Sequence, residues 1–305
     1  MTRILLIGQD GQVGQELQKT LAPLGQVTGV GRPQLNLADP AEIDRLIQAI
    51  SPELIVNAAA YTAVDKAESE PELAHAVNAT APEQMAKTAQ ALGVALIHIS
   101  TDYVFDGSKS SPYLETDNTH PLGVYGQSKL AGETAIQQVQ AAYPDLQYAI
   151  LRTAWVYGAG GKGNFAKTML RVGAERPELR VVCDQIGTPT SAAEIARAIS
   201  ALAQQFLHPS EQAAELSGIY HFTNSGAASW YDFAVAIIEE ARALGWPLAV
   251  ERVTPITTAE YPTPTQRPAY SVLSNQKIQS ILQAPPPQWR QSLRHVITEL
   301  YSSKS

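Results

Sequence analysis

The sequence predicts an α/β protein, a doubly wound parallel sheet joined to a smaller C-terminal lobe. Short apolar runs alternate with longer amphipathic stretches through the first half of the chain, as repeated βαβ units require. Those runs are apolar throughout rather than at every second residue, the pattern of strands covered on both faces. Beyond about residue 155 the alternation gives way to clustered glycines (Gly158, Gly160, Gly161, Gly163) and prolines (Pro262, Pro264, Pro268, Pro285–Pro287). Residues 1–155 are therefore assigned to the sheet domain, with later segments returning to it, and residues 156–305 mainly to the second lobe.

In order, Arg3–Gly8 reads as a strand, Val13–Leu24 as a helix and Gln26–Gly31 as the second strand. Ala41–Ile50 carries Ile43, Leu46, Ile47 and Ile50 at helical spacing, and Leu54–Val56 is the third strand. Glu72–Leu92 reads as one long helix and Val94–Ile99 as the fourth strand. A loop rich in Asp, Gly, Ser and Pro precedes a helix at Val124–Ala142 and a fifth strand at Leu146–Leu151. Further helices are expected at Phe165–Gly173, Ala192–Gln205, Trp230–Leu244 and Trp289–Tyr301. No internal repeat is visible.

Composition narrows the class. The 305 residues are 45% hydrophobic and 17% charged, ordinary for a globular protein. A net charge of −7 argues against nucleic-acid and anionic-membrane partners, which favour basic surfaces. The single cysteine, Cys183, excludes an internal disulfide and fits a reducing compartment. Ile4–Ile7 is too short for a signal or a membrane span; a cytoplasmic location is expected.

Gly8-Gln9-Asp10-Gly11-Gln12-Val13-Gly14 falls where the first strand turns into the first helix. There a chain must pass close to a pyrophosphate, and glycine lets backbone N–H groups approach without a Cβ in the way. The helix N-terminus adds unpaired N–H groups and the positive end of its dipole. The first domain is thus expected to be Rossmann-like and to bind a dinucleotide. An acid closing the second strand selects NAD and an arginine accommodates the phosphate of NADP. Gly31-Arg32 stands here with no acid before Asp39, which favours NADPH held by Arg32; a solvated Arg32 is the alternative. Small residues at Asn57-Ala58-Ala59-Ala60 leave room for the cofactor at the sheet's edge, with Thr62 as a donor.

Tyr125 and Lys129 lie at i and i+4 on the Val124–Ala142 helix, hence on one face. The lysine cation is expected to lower the phenol's pKa and fit it for proton transfer. Ser100-Thr101-Asp102-Tyr103 ends the fourth strand, facing the cleft, so Thr101 can hold a carbonyl oxygen for Tyr125. Together Thr101, Tyr125 and Lys129 make a site for hydride transfer at a carbonyl carbon, with the hydride coming from the cofactor.

These residues resemble the extended short-chain dehydrogenase/reductase superfamily. Longer segments resemble one family within it, the dTDP-4-dehydrorhamnose reductases: Val56–Pro71, Ser100–Gly107, Tyr125–Glu133, Arg152–Tyr157, Asn164–Arg171, Asp184–Thr190 and Tyr261–Pro268. The likeness runs along nearly the whole chain, the second lobe included. It implies that NADPH, with NADH possible in its place, reduces the 4-keto group of dTDP-4-dehydro-L-rhamnose to dTDP-L-rhamnose. Tyr125 would then be the proton donor, Thr101 the carbonyl-orienting group and Lys129 the anchor of the nicotinamide ribose. Asp102 and Trp155 would contact the sugar. Gly8, Gly11, Gln12, Val13 and Gly14 would lie under the pyrophosphate, Ala60, Tyr61, Thr62 and Ile99 against the cofactor, and Asn36-Leu37 beside the adenine. Arg267, on a proline-framed loop, is a candidate for the substrate diphosphate, a surface role being the equal alternative.

Some relatives bind Mg²⁺ between subunits, and Glu16 and Glu194 are the nearest candidates here. A further carboxylate one turn after Glu194 is missing, since Ala198 stands there; this leaves the metal, and a homodimer built on it, open. Dehydratases of the superfamily follow the threonine with an acid pair, whereas Thr101 precedes Asp102 and Tyr103. The remaining alternatives are a reductase or epimerase of another nucleotide-linked keto-sugar, and a non-catalytic NADP-binding subunit like the regulatory subunit of methionine adenosyltransferase.

Overall fold

A computed structural model describes residues 1–208 and 216–303. Strands β1 (Arg3–Ile7), β2 (Gln26–Val30), β3 (Leu54–Asn57), β4 (Ala95–Thr101) and β5 (Tyr148–Thr153) join an edge strand, Gly218–His221, in one six-stranded sheet. Its order is edge strand, β5, β4, β3, β1, β2, and every pairing is parallel. Strand order reverses at β1, so a crevice opens beyond the carboxyl ends of β1 and β3, where ligands of such sheets bind.

Alternate residues of each strand feed two separate cores. Ile4, Leu6, Val56, Ile97 and Leu151 face helices Gln12–Leu21 and Ala192–Leu207. Leu5, Ile7, Ile55, Leu96 and Ile150 face helices Pro40–Ile50, Ala81–Leu92 and Val124–Ala142. Each fully buried Leu or Ile contributes about 1.5–3 kcal/mol relative to exposure, so both layers anchor the sheet to its covering helices. Two pieces of this assembly come from beyond residue 155: the Ala192–Leu207 helix and the Gly218–His221 strand. The four-residue run Gly-Ile-Tyr-His is too short to carry a strand pattern of its own. It is a strand because it extends the sheet beside β5.

The segment expected as one helix over Glu72–Leu92 is interrupted. Helix Pro71–His75 passes through a π turn, Ala76–Thr80, into helix Ala81–Leu92. Pro82 has no N–H to offer the carbonyl of Asn78 four residues back, and a wider turn lets the chain continue. Gly132 approaches that same carbonyl so closely that a Cβ would collide with it.

The second lobe has its own apolar centre, in which Tyr157, Leu170, Phe233, Ile237, Trp289 and Leu293 interlock. A smaller cluster around Leu179, Val181, Ile238 and Val250 underlies a parallel pair, Glu178–Val182 with Arg252–Ile256. Among the described residues no helix is long and apolar enough to cross a membrane.

Candidate active site

Register places a row of polar side chains across the carboxyl edge of the sheet. Asn57 of β3 pairs with His98 of β4, Ser100 and Thr101 of β4 pair with Arg152 and Thr153 of β5, and Arg152 pairs with His221 of the edge strand. The face of β4 that starts apolar at Leu96 turns polar at His98 and Ser100, opposite the Val124–Ala142 helix. That helix begins against the turn Asp102–Val104, because Gly126 fits where a Cβ would strike the Tyr103 carbonyl. Tyr125 therefore arrives edge-on to Tyr103, with ring centroids 5.4 Å apart, and beside Thr101.

The structure brings Thr101, Tyr125 and Lys129 together, all three buried, but their electrostatics differ from expectation. Burial pushes the Tyr125 phenol up to about 12, partly offset by a hydrogen bond with Thr101 and reinforced by the charge of Asp102. Lys129 does not lower it. Its ammonium nitrogen is turned toward β4, 2.7 Å from the Ile99 carbonyl and 3.1 Å from His98 Nε2. Lys129 is itself pushed down to about 8 by burial, against the pull of Glu133. The phenol is thus a held acid rather than a primed base. His98 is fully enclosed, its Nδ1 3.0 Å from Asn57 Nδ2; burial and the Lys129 charge hold its pKa well below the ordinary histidine range.

One strand further, a second polar cluster closes on itself. The Glu133 carboxylate receives Arg152 Nη2 at 2.6 Å, Arg152 Nε at 3.0 and 3.1 Å, and the Ser100 hydroxyl at 2.5 Å. Arg152 Nη1 lies 3.4 Å from His221 Nε2, and His221 Nδ1 lies 3.1 Å from the Tyr113 carbonyl. The guanidinium also covers the Phe105 ring at 5.1 Å. Burial first, and then Arg152, hold His221 down to about 3, so it is neutral and receives the arginine's N–H. Sequence reasoning passed over His98, Glu133 and Arg152. The available signal was polar residues at every second position inside otherwise apolar strands, in Leu96-Ile-His-Ile-Ser100 and Ile150-Leu-Arg152.

The glycine turn fits a pyrophosphate. Gly8 has φ +93°, and a Cβ there would sit 2.7 Å from the Ala59 nitrogen. Gly14 leaves no room for a Cβ beside the Gly8 carbonyl, which lets the Gln12–Leu21 helix start directly over the strand end. Gly11, its N-cap, makes no side-chain cap, so the first N–H groups are open to an anion. The Val13 side chain lies in the core and offers only its backbone. Gln12 is held from above, accepting from Asn164 Nδ2 at 2.7 Å. At the end of β2, Arg32 is exposed. The Asp10 carboxylate, however, folds back against Gly31, occupying the place of a Cβ there. An acid therefore does stand beside the second strand, delivered by the glycine turn rather than by the residues that follow β2. Asn36 caps its own turn through the Ala38 N–H at 3.0 Å, with Leu37 half-buried beside it. After β3, Ala60 is half-buried and Thr62 exposed on a turn clasped by Asn78, which accepts from Tyr61 N at 2.8 Å and donates to Tyr61 O at 3.0 Å. The Tyr61 hydroxyl turns away to Glu70, 2.8 Å distant.

On the substrate side, Asp102 is 2% exposed and its Oδ2 has no hydrogen-bond partner. Burial pushes its carboxyl up to about 6 despite help from the Ser271 and Thr101 hydroxyls. Trp155 follows β5 in the left-handed region, φ +46°, a conformation that costs a bulky residue of order 1–3 kcal/mol. Its ring stacks on Trp230 of the second lobe, with centroids 3.5 Å apart and planes 7° from parallel. Arg267 is not free. Its Nη2 pairs with Asp65 Oδ2 at 2.8 Å, while Arg267 Nε and Asp65 Oδ1 are buried without partners.

Glu16 and Glu194 form no metal site within one chain. Each is ion-paired to a basic neighbour on its own helix, Glu16 to Lys19 at 2.9 Å and Glu194 to Arg197 at 2.5 Å. Among the described residues no group of three or more His, Cys, Asp or Glu is placed to hold a metal.

Residues 1–302 match the family described as RmlD substrate binding domain. The chain is 44% identical over 304 residues to the dTDP-4-dehydrorhamnose reductase of Escherichia coli K12, covering 98% of each protein. Its fold is similar to the crystal structure of a dTDP-4-dehydrorhamnose reductase from Clostridium acetobutylicum, at 37% identity and a TM-score of 0.86, covering 98% of this chain and 100% of that one. The reductase of Bacillus anthracis, solved in complex with NADP, matches at 34% identity with the same TM-score of 0.86 and the same coverage.

Proposed function

The chain belongs to the RmlD substrate-binding-domain family of dTDP-4-dehydrorhamnose reductases and is an NAD(P)H-dependent oxidoreductase; from that premise we propose that it reduces the 4-keto group of dTDP-4-dehydro-L-rhamnose with NADPH, giving dTDP-L-rhamnose. The observation that carries this reading is the buried Tyr125 phenol, held protonated next to Thr101 at the carboxyl edge of the sheet. A carbonyl oxygen becomes an alkoxide on reduction, and an alkoxide is far more basic than a phenolate, so a phenol at about 12 gives up its proton downhill. The Thr101 hydroxyl fixes the oxygen's position before transfer. Lys129 would hold the nicotinamide ribose, and the open N–H groups after Gly11 would hold the pyrophosphate. When bound, the cofactor supplies the hydride.

Arg32 at the end of β2 supports NADPH, and Asp10 beside it supports acceptance of NADH as well. Asp102 and Trp155 frame the sugar. Arg267 reaches the diphosphate by giving up part of its pairing with Asp65. The single free cysteine fits a reducing cytoplasm. Elimination of water, as in the dehydratases, lacks its second acid because Tyr103 stands after Asp102.

Incubation with NADPH and a panel of nucleotide-linked 4-keto sugars, with and without EDTA, tests the reading. Loss of nicotinamide absorbance with formation of dTDP-L-rhamnose from dTDP-4-dehydro-L-rhamnose is expected. A protein that binds NADPH but turns over only another keto sugar would transfer the same mechanism to that substrate and overturn the assignment to dTDP-4-dehydro-L-rhamnose.

A further inference from the structure

We infer that His98 is a positioning residue that ties the charge of the Lys129 amine to the backbone of the turn Asn57–Ala59. The hydrogen-bond chain leaves little choice. The Ala59 N–H needs an acceptor and has Asn57 Oδ1 at 3.1 Å, so the amide nitrogen of Asn57 faces His98 Nδ1 at 3.0 Å. An amide nitrogen only donates, hence Nδ1 carries the imidazole's lone pair and Nε2 its proton. That proton points at Lys129 Nζ, 3.1 Å away. An ammonium has no lone pair to receive it; an amine has one, and still donates to the Ile99 carbonyl at 2.7 Å.

Charging the lysine therefore rearranges the whole chain. The imidazole must present its lone pair at Nε2 and carry its proton on Nδ1. Asn57 must turn its oxygen inward, and the Ala59 N–H loses its acceptor. One proton is gained overall and the imidazole stays neutral throughout. Ala59 lies against Gly8, its nitrogen 2.7 Å from where a Gly8 Cβ would be, so the freed donor sits beside the glycine turn. Burial that lowers Lys129 to about 8 keeps both forms within reach near neutrality. The other ionisable groups around the lysine are Tyr125 and Glu133 on its own helix, Asp102 after β4, and Arg152 on β5. Glu133 favours the ammonium but is itself held by Arg152.

The inference rests on Lys129 as the ribose-holding group, and its main test needs neither cofactor nor substrate. ¹⁵N-histidine NMR of the wild-type protein, with His98 assigned by difference from His98→Leu, reports which ring nitrogen carries the proton. Between about pH 10 and about pH 6, His98 should pass from the Nε2–H to the Nδ1–H tautomer without becoming cationic. In Lys129→Met it should stay Nε2–H throughout. One unchanging tautomer in the wild type, or the same switch in Lys129→Met, overturns the proposal. In His98→Leu the pH midpoint of NADPH affinity should move by about one unit or more; an unmoved midpoint also counts against it.

Discussion

Two buried polar clusters sit one helical turn apart on the same helix and strands, yet they are built to opposite specifications. Around Glu133 every charged atom is answered: Arg152 forks onto the carboxylate, Ser100 adds a third donor, and His221 takes a remaining N–H. Around Tyr125 the account is left open. Asp102 Oδ2 has no partner, Lys129 is drawn down by burial, and Trp155 is held at a positive φ. A polar group buried without a partner costs about 1–3 kcal/mol, so the open cluster is a local loss of stability and the closed one is its scaffold. The difference teaches where chemistry is possible. Groups that already satisfy one another have nothing to offer a substrate, whereas a protonated phenol and a carboxyl with one unpartnered oxygen do.

Breaking the closed cluster should have the largest effect on stability. Glu133→Gln leaves a buried guanidinium without its counter-charge, which costs about 3–5 kcal/mol, read as a lower urea midpoint. Pairing it with Arg152→Met should restore most of that loss, because removing both charges removes the uncompensated one. If Glu133→Gln alone shifted the midpoint no more than an exposed substitution does, the scaffold reading would fail.

The open cluster should respond in the opposite direction. Asp102 keeps its proton in the folded chain up to about pH 6, against about 3.9 for an unfolded aspartate. Between those values the folded state binds more protons, so stability is full below about pH 4 and declines as pH rises toward 6. Asp102→Asn should then raise stability at neutral pH by about 1–3 kcal/mol while lowering turnover. The gain should vanish near pH 4, and urea titrations at both pH values check it. A destabilised Asp102→Asn protein at neutral pH would show that the carboxylate is satisfied after all.

The smallest expected effects lie at the adenosine end. Arg32→Ala should weaken NADPH relative to NADH by about tenfold, and Asp10→Asn should favour NADPH by a few-fold, each near 1 kcal/mol. Kd values for both cofactors in both variants check this, and equal losses for NADPH and NADH in Arg32→Ala would remove the phosphate contact.

How much of this the sequence showed follows the same division. Strands β1 to β5 and the Val124–Ala142 helix are legible because apolar runs and helical spacing are local signals. Tyr125, Lys129 and Thr101 are legible because their spacing and position at strand ends are local too. The edge strand Gly218–His221 is not, since its pairing with β5 is a property of the assembled sheet. Asp10 beside β2 is not legible for the same reason: it reaches Gly31 across a turn, not along the chain. The polarity of Lys129 toward His98, rather than toward Tyr125, depends on the register of Asn57 with His98, which no spacing within one segment reveals. The interruption at Ala76–Thr80 was within reach, because Pro82 announces a missing donor to Asn78.

The central claim, that a protonated Tyr125 completes hydride transfer to a nucleotide-linked keto sugar, is tested most directly by comparing wild type with Tyr125→Phe. NADPH consumption would be followed with dTDP-4-dehydro-L-rhamnose at saturating cofactor, and NADPH affinity measured separately. The prediction is unchanged NADPH binding with kcat reduced by about 10²–10⁴-fold. Turnover of Tyr125→Phe close to wild type would contradict it and assign the proton to another group.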